Sequence, residues 1–363
     1  MHASAPGLDG LSSILPEGKA ALARRLVVTG RAPEPKDFDK QGLTLTADEL
    51  GRLSVFLETG LRTRVVEEVR SQDGTFRLGI GLHDGKRVET VAMPTGTVCI
   101  STQVGCAVGC RFCASGLFGV ERNLDVDEML EQVVHARRRL RTDRVVYMGM
   151  GEPSHNLDAV LGAVARIRDL AQISSKRQVV STVGSVRAIE RMGAAAVRPC
   201  LAVSLHSADD ERRRELLPRA HKDALVDIVA AADAYGRAMS MPVQFEWTLL
   251  AGVNDRDEDV AQLTKLLTGV RGLVNFIVWN PVAGMPFAAP SRERIIEIVR
   301  AVKKGGVLAT IRDSSGPDAG AACGQLRLKE RGGVGGSEGP RLGGGGADCF
   351  SRSASRTSAQ SLP

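Results

Sequence analysis

Gly105-Cys106-Ala107-Val108-Gly109-Cys110-Arg111-Phe112-Cys113-Ala114-Ser115-Gly116 is the stretch on which the reading of this chain turns. Its cysteines stand as C-x3-C-x2-C, offering three thiolates and no fourth. A structural zinc site closes its tetrahedron with four protein ligands, and ferredoxins likewise hold each iron through cysteine. Three thiols so closely spaced suit instead a cubane iron–sulfur cluster with one iron left open. An open iron can bind and reduce a substrate or cofactor, whereas a fully ligated cluster mainly passes electrons. The spacing points to chemistry rather than to a structural staple.

Outward from this stretch, strands and helices alternate. Strands are predicted at Val98–Thr102, Arg144–Met150, Gln178–Val183, Cys200–His206, Val243–Leu250, Leu273–Trp279 and Leu308–Arg312. Between them lie helical patterns at 126–140, 157–170, 186–192, 224–235, 257–267 and 292–303. Near-continuous apolar strands in regular alternation with helices predict an α/β fold with a parallel sheet and helices outside. About six such units can close into a partial (β/α)6 barrel spanning residues 96–330. Residues 1–95 read as a small N-terminal α+β extension, with short helices over 11–28. A capping box at Thr46 and Glu49 follows, then strands over 64–70, 75–82 and 87–93. Residues 331–363 form a Gly/Ser/Arg tail that lacks the apolar content to order itself, and Cys349 in it is an incidental thiol.

Composition narrows the setting. The chain has 363 residues, 43% hydrophobic and 25% charged, which is ordinary for a globular protein. Neither an apolar run long enough for a membrane helix nor a secretory leader is evident, so no membrane association is expected. Seven clustered cysteines do not resemble an extracellular disulfide framework, which predicts a cytoplasmic, reducing setting. The net charge of +6 is compatible with a polyanionic partner, while 4% aromatic residues argue against a base-stacking platform.

In an α/β barrel, chemistry sits beyond the C-terminal ends of the strands. Those ends carry Gly149-Met150-Gly151-Glu152-Pro153, then Ser181, then Ser204-Leu205-His206, then Asn280-Pro281. Singly, each has an ordinary explanation: Ser181 as a helix N-cap, His206 as a loop residue, Asn280 as a turn former. On successive strand ends facing one mouth, they describe a pocket for a small polar molecule.

Here the chain resembles a known family. The cysteine motif with Phe112, followed by Gly149 to Pro153, is the pattern of radical S-adenosylmethionine (SAM) enzymes. V-E-T-V-x-x-P at 88–94, Y-M-G-M-G-E-P at 147–153, V-S-L-H at 203–206, L-L-A-G-V-N-D at 249–255, W-N-P at 279–281 and A-A-C-G-Q-L at 321–326 occur in family order. Over about residues 65–326 the sequence is similar to the RlmN/Cfr family of radical SAM RNA adenine methyltransferases, which implies a radical-SAM barrel. The resemblance implies that Cys106, Cys110 and Cys113 hold a [4Fe-4S] cluster. Gly151, Glu152, Ser181, Ser204, Leu205, His206 and Asn280 would contact SAM. Cys323 would carry the methyl group as S-methylcysteine, and Cys99 would resolve a protein–RNA adduct by forming a disulfide with Cys323. Glu89 matches the family's proposed proton acceptor, and the resemblance leaves open whether it or Cys99 removes the ring proton.

The implied substrate is an adenosine of large-subunit rRNA, with tRNA as a further candidate, and carbon 2 is favoured over carbon 8. An electron donor such as flavodoxin or ferredoxin and a monomeric state are also implied. The alternative is an enzyme of the same scaffold acting on a different RNA, a small molecule or a protein, against which the Cys99–Cys323 pair argues. Residues 1–60 depart from the family in containing neither Trp nor Tyr. The runs Arg137-Arg138-Arg139 and Arg212-Arg213-Arg214 read as solvated helix faces or as phosphate contacts.

Overall fold

Apolar runs such as Val145-Val146-Tyr147 and Leu201-Ala202-Val203 are buried throughout, the condition under which strands pair in parallel between layers of helix. In the computed structural model, which describes residues 5–312 and 314–326, they belong to a ten-stranded sheet. The expected tail at 331–363, with Cys349, lies outside the described residues. In chain order the strands are β1 (Arg64–Arg70), β2 (Phe76–Gly81), β3 (Arg87–Ala92), β4 (Thr97–Cys99), β5 (Gln103–Gly105) and β6 (Val120–Asn123). They continue as β7 (Arg144–Tyr147), β8 (Gln178–Thr182), β9 (Cys200–Ser204), β10 (Val243–Leu249), β11 (Gly272–Val278) and β12 (Leu308–Arg312).

The sheet runs β1-β2-β3-β4-β7-β8-β9-β10-β11-β12. β1 to β4 pair antiparallel, and from β4 to β12 every neighbour is parallel. The N-terminal strands therefore extend the barrel sheet directly, with Val91 opposite Cys99. Helices return between the parallel strands, and side-chain caps fix where several begin. Asp125 accepts from the Glu128 N–H at 2.9 Å, and Ser185 and Ser291 cap the helices that follow them.

Four short helices precede β1 and share a core around Leu11, Phe38, Leu53 and Phe56. The Thr46–Glu49 box forms as its spacing predicts: the Thr46 N–H donates to Glu49 at 2.8 Å and the Glu49 N–H to Thr46 Oγ1 at 3.2 Å. Pro35–Asp39 is helical too, and Pro35 sits in the first turn, where it lacks only an N–H that would have no partner.

Two further elements differ from expectation. Gln103–Gly105 and Val120–Asn123 form a separate hairpin bracketing the cysteine loop, and Asp210–Leu216 is helical. The arginine runs are also not simply solvated. Arg137 donates to the carbonyls of Val28, Thr142 and Ala171, and buried Arg213 to those of Leu205, Val183 and Ser204. Arg139 and Arg212 pair with Glu68 and Asp259. In these runs at least four guanidiniums bind the protein itself, Arg137 and Arg213 at carbonyls that need donors and Arg139 and Arg212 at carboxylates.

Candidate active site

The parallel strands end around one pocket that opens to solvent. Cys106, Cys110 and Cys113 line it, facing Gly151, Glu152, Ser181, Ser204, His206 and Cys323. The cysteine loop is held from three sides. Trp279 Nε1 donates to the Phe112 carbonyl at 3.0 Å, the Arg111 N–H to Leu216 at 3.0 Å, and the Ala114 N–H to Gly324 at 2.7 Å. The last contact ties the three-cysteine loop to the turn bearing Cys323.

Burial first, then the charges of Cys113 and Glu152, push the Cys106 thiol up to about 12. Burial also carries Cys110 well above the ordinary thiol range and raises Cys113. Such thiols stay protonated until a cation takes the proton's place, which suits iron ligation. Among the described residues no three His, Cys, Asp or Glu side chains converge closely enough for a single metal ion. A cubane binds each cysteine through a different iron, and three thiols of one loop lining one pocket fit such a cluster. His206 does not complete it: the Thr248 N–H donates to His206 Nδ1 at 3.0 Å, which leaves Nε2 as the N–H of a neutral ring. Burial, then nearby Arg213, hold this imidazole down to about 3.

Glu152 is oriented by its own chain. Its Oε1 accepts from the Ser154 N–H at 3.0 Å and the Thr182 hydroxyl at 2.5 Å, and Oε2 from the Val183 N–H at 3.0 Å. Oε2 keeps a lone pair for an ammonium group in the pocket. Gly151 holds φ +107°, and a Cβ there would stand 2.6 Å from Thr102 Oγ1 and 2.7 Å from the Gln103 nitrogen. Only glycine lets this turn pass so close to Thr102 and Gln103. His206, at φ 59°, is one of three non-glycine residues with positive φ among the described residues, a costly conformation where β9 leads into its loop.

Ser181 does not cap a helix, since Ser185 does, and its hydroxyl lies 3.3 Å from that of Ser204 on the pocket wall. Leu205 is fully buried and contributes backbone: its N–H donates to Glu246 and its carbonyl receives Arg213. Asn280 donates to the Cys323 carbonyl at 3.2 Å and to Ser314 Oγ at 2.7 Å, so it steadies the Cys323 turn.

Cys99, on β4, is buried beside this turn; burial, reinforced by the charge of Cys323, pushes it up to about 12. All six described cysteines are free thiols. Glu89, on β3, is ion-paired with Arg77 and lies 3.8 Å from Arg87, and it is not among the residues lining the pocket. Residues that sequence patterns did not single out complete the site: Trp279, Arg213, Thr182, Ser115, Thr248, Glu246 and Asn254. The last donates to the carbonyls of His206 and Thr248 at 2.8 Å each. Trp279, Asn254 and Ser115 stand in motifs quoted above and Arg213 in an arginine run, but Thr182, Thr248 and Glu246 sit in runs that read as plain strand.

Comparison with known proteins agrees with this arrangement. The Radical SAM superfamily model matches residues 100–264. A protein of Pseudomonas paraeruginosa described as a probable RNA methyltransferase is 44% identical over 293 residues, covering 81% of this chain and 82% of its own length. Another so described, from Methylibium petroleiphilum, is 44% identical over 271 residues, covering 75% and 77%. The crystal structure of a radical SAM methyltransferase from Sphaerobacter thermophilus superposes with a TM-score of 0.79 at 35% identity, over 90% of this chain and 99% of that one.

Proposed function

This chain belongs to the radical SAM RNA methyltransferases, and from that premise we propose that it methylates a ring carbon of adenosine, carbon 2 rather than carbon 8. The proposed substrate is large-subunit rRNA, with tRNA as a second substrate class. The superfamily's cofactors, a [4Fe-4S] cluster and SAM, would be held by Cys106, Cys110 and Cys113 and by the strand-end residues around Glu152. When bound they supply the methyl group and a carbon radical strong enough to activate it. The observation that supports the proposal is Cys323 on the wall of the pocket that the three cluster cysteines line, with Cys99 buried on β4 close enough for the charge of Cys323 to act on it.

An electron-poor adenine carbon is no nucleophile, so a methyl group needs a carrier. Cys323 suits that role: a thiolate is a good nucleophile near neutral pH, and Ala322 and Gly324 leave its approach open. Asn280 and the Gly324 carbonyl contact keep the turn over the pocket. Cys99 acts last. Its sulfur, its proton given up, attacks Cys323 Sγ, and the Sγ–carbon bond breaks with its electron pair passing to the carbon. That carbon takes up a proton to complete the methyl group, and a Cys99–Cys323 disulfide remains for an external reductant to open. Removal of the ring proton falls to Cys99 or to Glu89, whose carboxylate is ion-paired with Arg77.

An external electron donor such as flavodoxin or ferredoxin, a monomeric state and a reducing cytoplasm complete the proposal. Among the described residues no helix is long and apolar enough to cross a membrane. The test is mass spectrometry of adenosines from rRNA and tRNA of cells with and without the gene. A methyladenosine present only with the gene, and lost with Cys323→Ala while cluster content is unchanged, is expected. Methylation surviving Cys323→Ala would remove the carrier role, and loss of the cluster with it would undo the division of the cysteines.

A further inference from the structure

Glu246 is the buried charged group in this pocket that the account above does not use. It lies midway along β10, is 2% exposed, and lines the pocket with Ser204, Thr248, Arg312 and Cys323. Its Oε1 accepts from Asn275 Nδ2 at 3.0 Å. Asn275 is itself pinned: it accepts from Thr310 Oγ1 at 2.6 Å and donates to Gln244 at 3.2 Å. That chain crosses β10, β11 and β12 and fixes the rotation of the carboxylate. Oε2, by contrast, is buried with no hydrogen-bond partner. Leaving a carboxylate oxygen dry and unpaired is costly, and native proteins do so mainly where a ligand supplies the donor.

The nearest cation is Arg312, whose Nη1 stands 3.9 Å from Oε2, beyond hydrogen-bond reach. The same Nη1 meets Met148 Sδ at 3.1 Å, a weak acceptor. Strand register sets Arg312 level with Ile277 and Thr248, two residues above Glu246 on the same inward face. The wall therefore presents a fixed acceptor beside a donor with capacity to spare, next to the thiol of Cys323. Burial pushes the Glu246 carboxyl up against the pull of Arg312, as expected of an acceptor still short of a partner.

We propose that Glu246 and Arg312 read the amidine edge of the target base: Glu246 Oε2 accepts from the exocyclic amine and Arg312 donates to the adjacent ring nitrogen. Adenine offers that donor-acceptor pair at N6 with its neighbouring ring nitrogen. Guanine on its O6 edge and uracil on its O4 edge set an acceptor against the carboxylate. Cytosine shares adenine's pattern, as does guanine on its N2–N3 edge, so the pair selects an amine beside an acceptor nitrogen and rejects uracil. The inference rests on the reading that the acceptor is a nucleobase of RNA, and the wild-type control tests that reading separately.

The experiment uses reconstituted full-length holoenzyme and total RNA from cells lacking the gene. Methyladenosine formation is compared in wild type, Glu246→Gln, Glu246→Ala and Arg312→Gln, alongside the S-methyl content of Cys323 and SAM cleavage without RNA. We expect kcat/KM for RNA to fall at least about tenfold in Glu246→Ala and Arg312→Gln, and less in the isosteric Glu246→Gln, while both cofactor-side readouts hold. Unchanged kcat/KM in the variants would overturn the assignment. So would a parallel fall in Cys323 methylation, which would make the pair part of the cofactor site. Should Glu246→Ala fail to fold, Glu246→Gln and Arg312→Gln carry the decision. Absence of methyladenosine from the wild type would defeat the parent reading, and this one with it.

Discussion

At the scale of single residues, the account turns on cysteines that look alike in sequence and differ in setting. Cys99 is buried on β4, between β3 and β7, and pushed up to about 12, so it stays a thiol at pH 8. Iodoacetamide should therefore leave Cys99 unmodified in the folded apoprotein from pH 7 to 9, and label it fully once urea exposes it. Peptide mass spectrometry reads both, and rapid native labelling at pH 8 would contradict the burial. This reluctance fits a thiol that must wait until an adduct forms beside it. The three cluster cysteines were legible because their spacing is itself the signal. Glu246 was not, because one acidic residue in Val243-Gln244-Phe245-Glu246-Trp247 reads as a polar position on a strand, and only the sheet shows that this face lines a pocket.

At the scale of elements, the helix Val126–Arg137 locks the N-terminal extension to the barrel through two buried titratable groups. Glu131 accepts from the N–H groups of Arg62 and Thr63 and from the Thr63 hydroxyl, which also meets His135 Nε2 at 2.9 Å. Burial raises Glu131 to about 7 and lowers His135 to about 4. The signs oppose each other. Glu131 holds a proton in the fold that the unfolded chain releases, so its contribution is present at low pH and lost as pH rises from about 4.5 to 7. His135 refuses a proton that the unfolded chain takes up, so its contribution is full above about pH 6.5 and lost as pH falls toward 4. Between pH 7 and 5 the melting temperature should fall more steeply in Glu131→Gln than in wild type. In His135→Gln it should fall less, or rise. Differential scanning calorimetry checks this, and the same slope in both variants would contradict it.

The strand–helix alternation was readable in sequence because apolar runs and caps are local signals. The hairpin of β5 and β6 was not, since its strands are short and their partners lie across the cysteine loop. Nor were the buried arginines, because the carbonyls they serve belong to distant elements.

At the scale of the molecule, the segment 314–326 brings the ends of the chain's logic together. The Gly316 N–H donates to Asp73 at 2.9 Å, Arg77 to the Ala319 carbonyl at 2.7 Å, and Ser115 to the Leu326 carbonyl at 2.6 Å. The N-terminal strands thus anchor the turn that carries Cys323 over the barrel, which gives the extension a part in the chemistry beyond any grip on RNA. Such long-range closure has no local sequence signature; only the family resemblance pointed to Cys323. The central claim is that three cysteines hold the cluster and two move the methyl group. It is tested most directly by isolating Cys99→Ala protein from cells and sequencing what is bound to it. The account predicts an adenosine nucleotide joined through one carbon to the peptide containing Cys323. Nucleotide-free protein that still methylates RNA at the wild-type rate would contradict it.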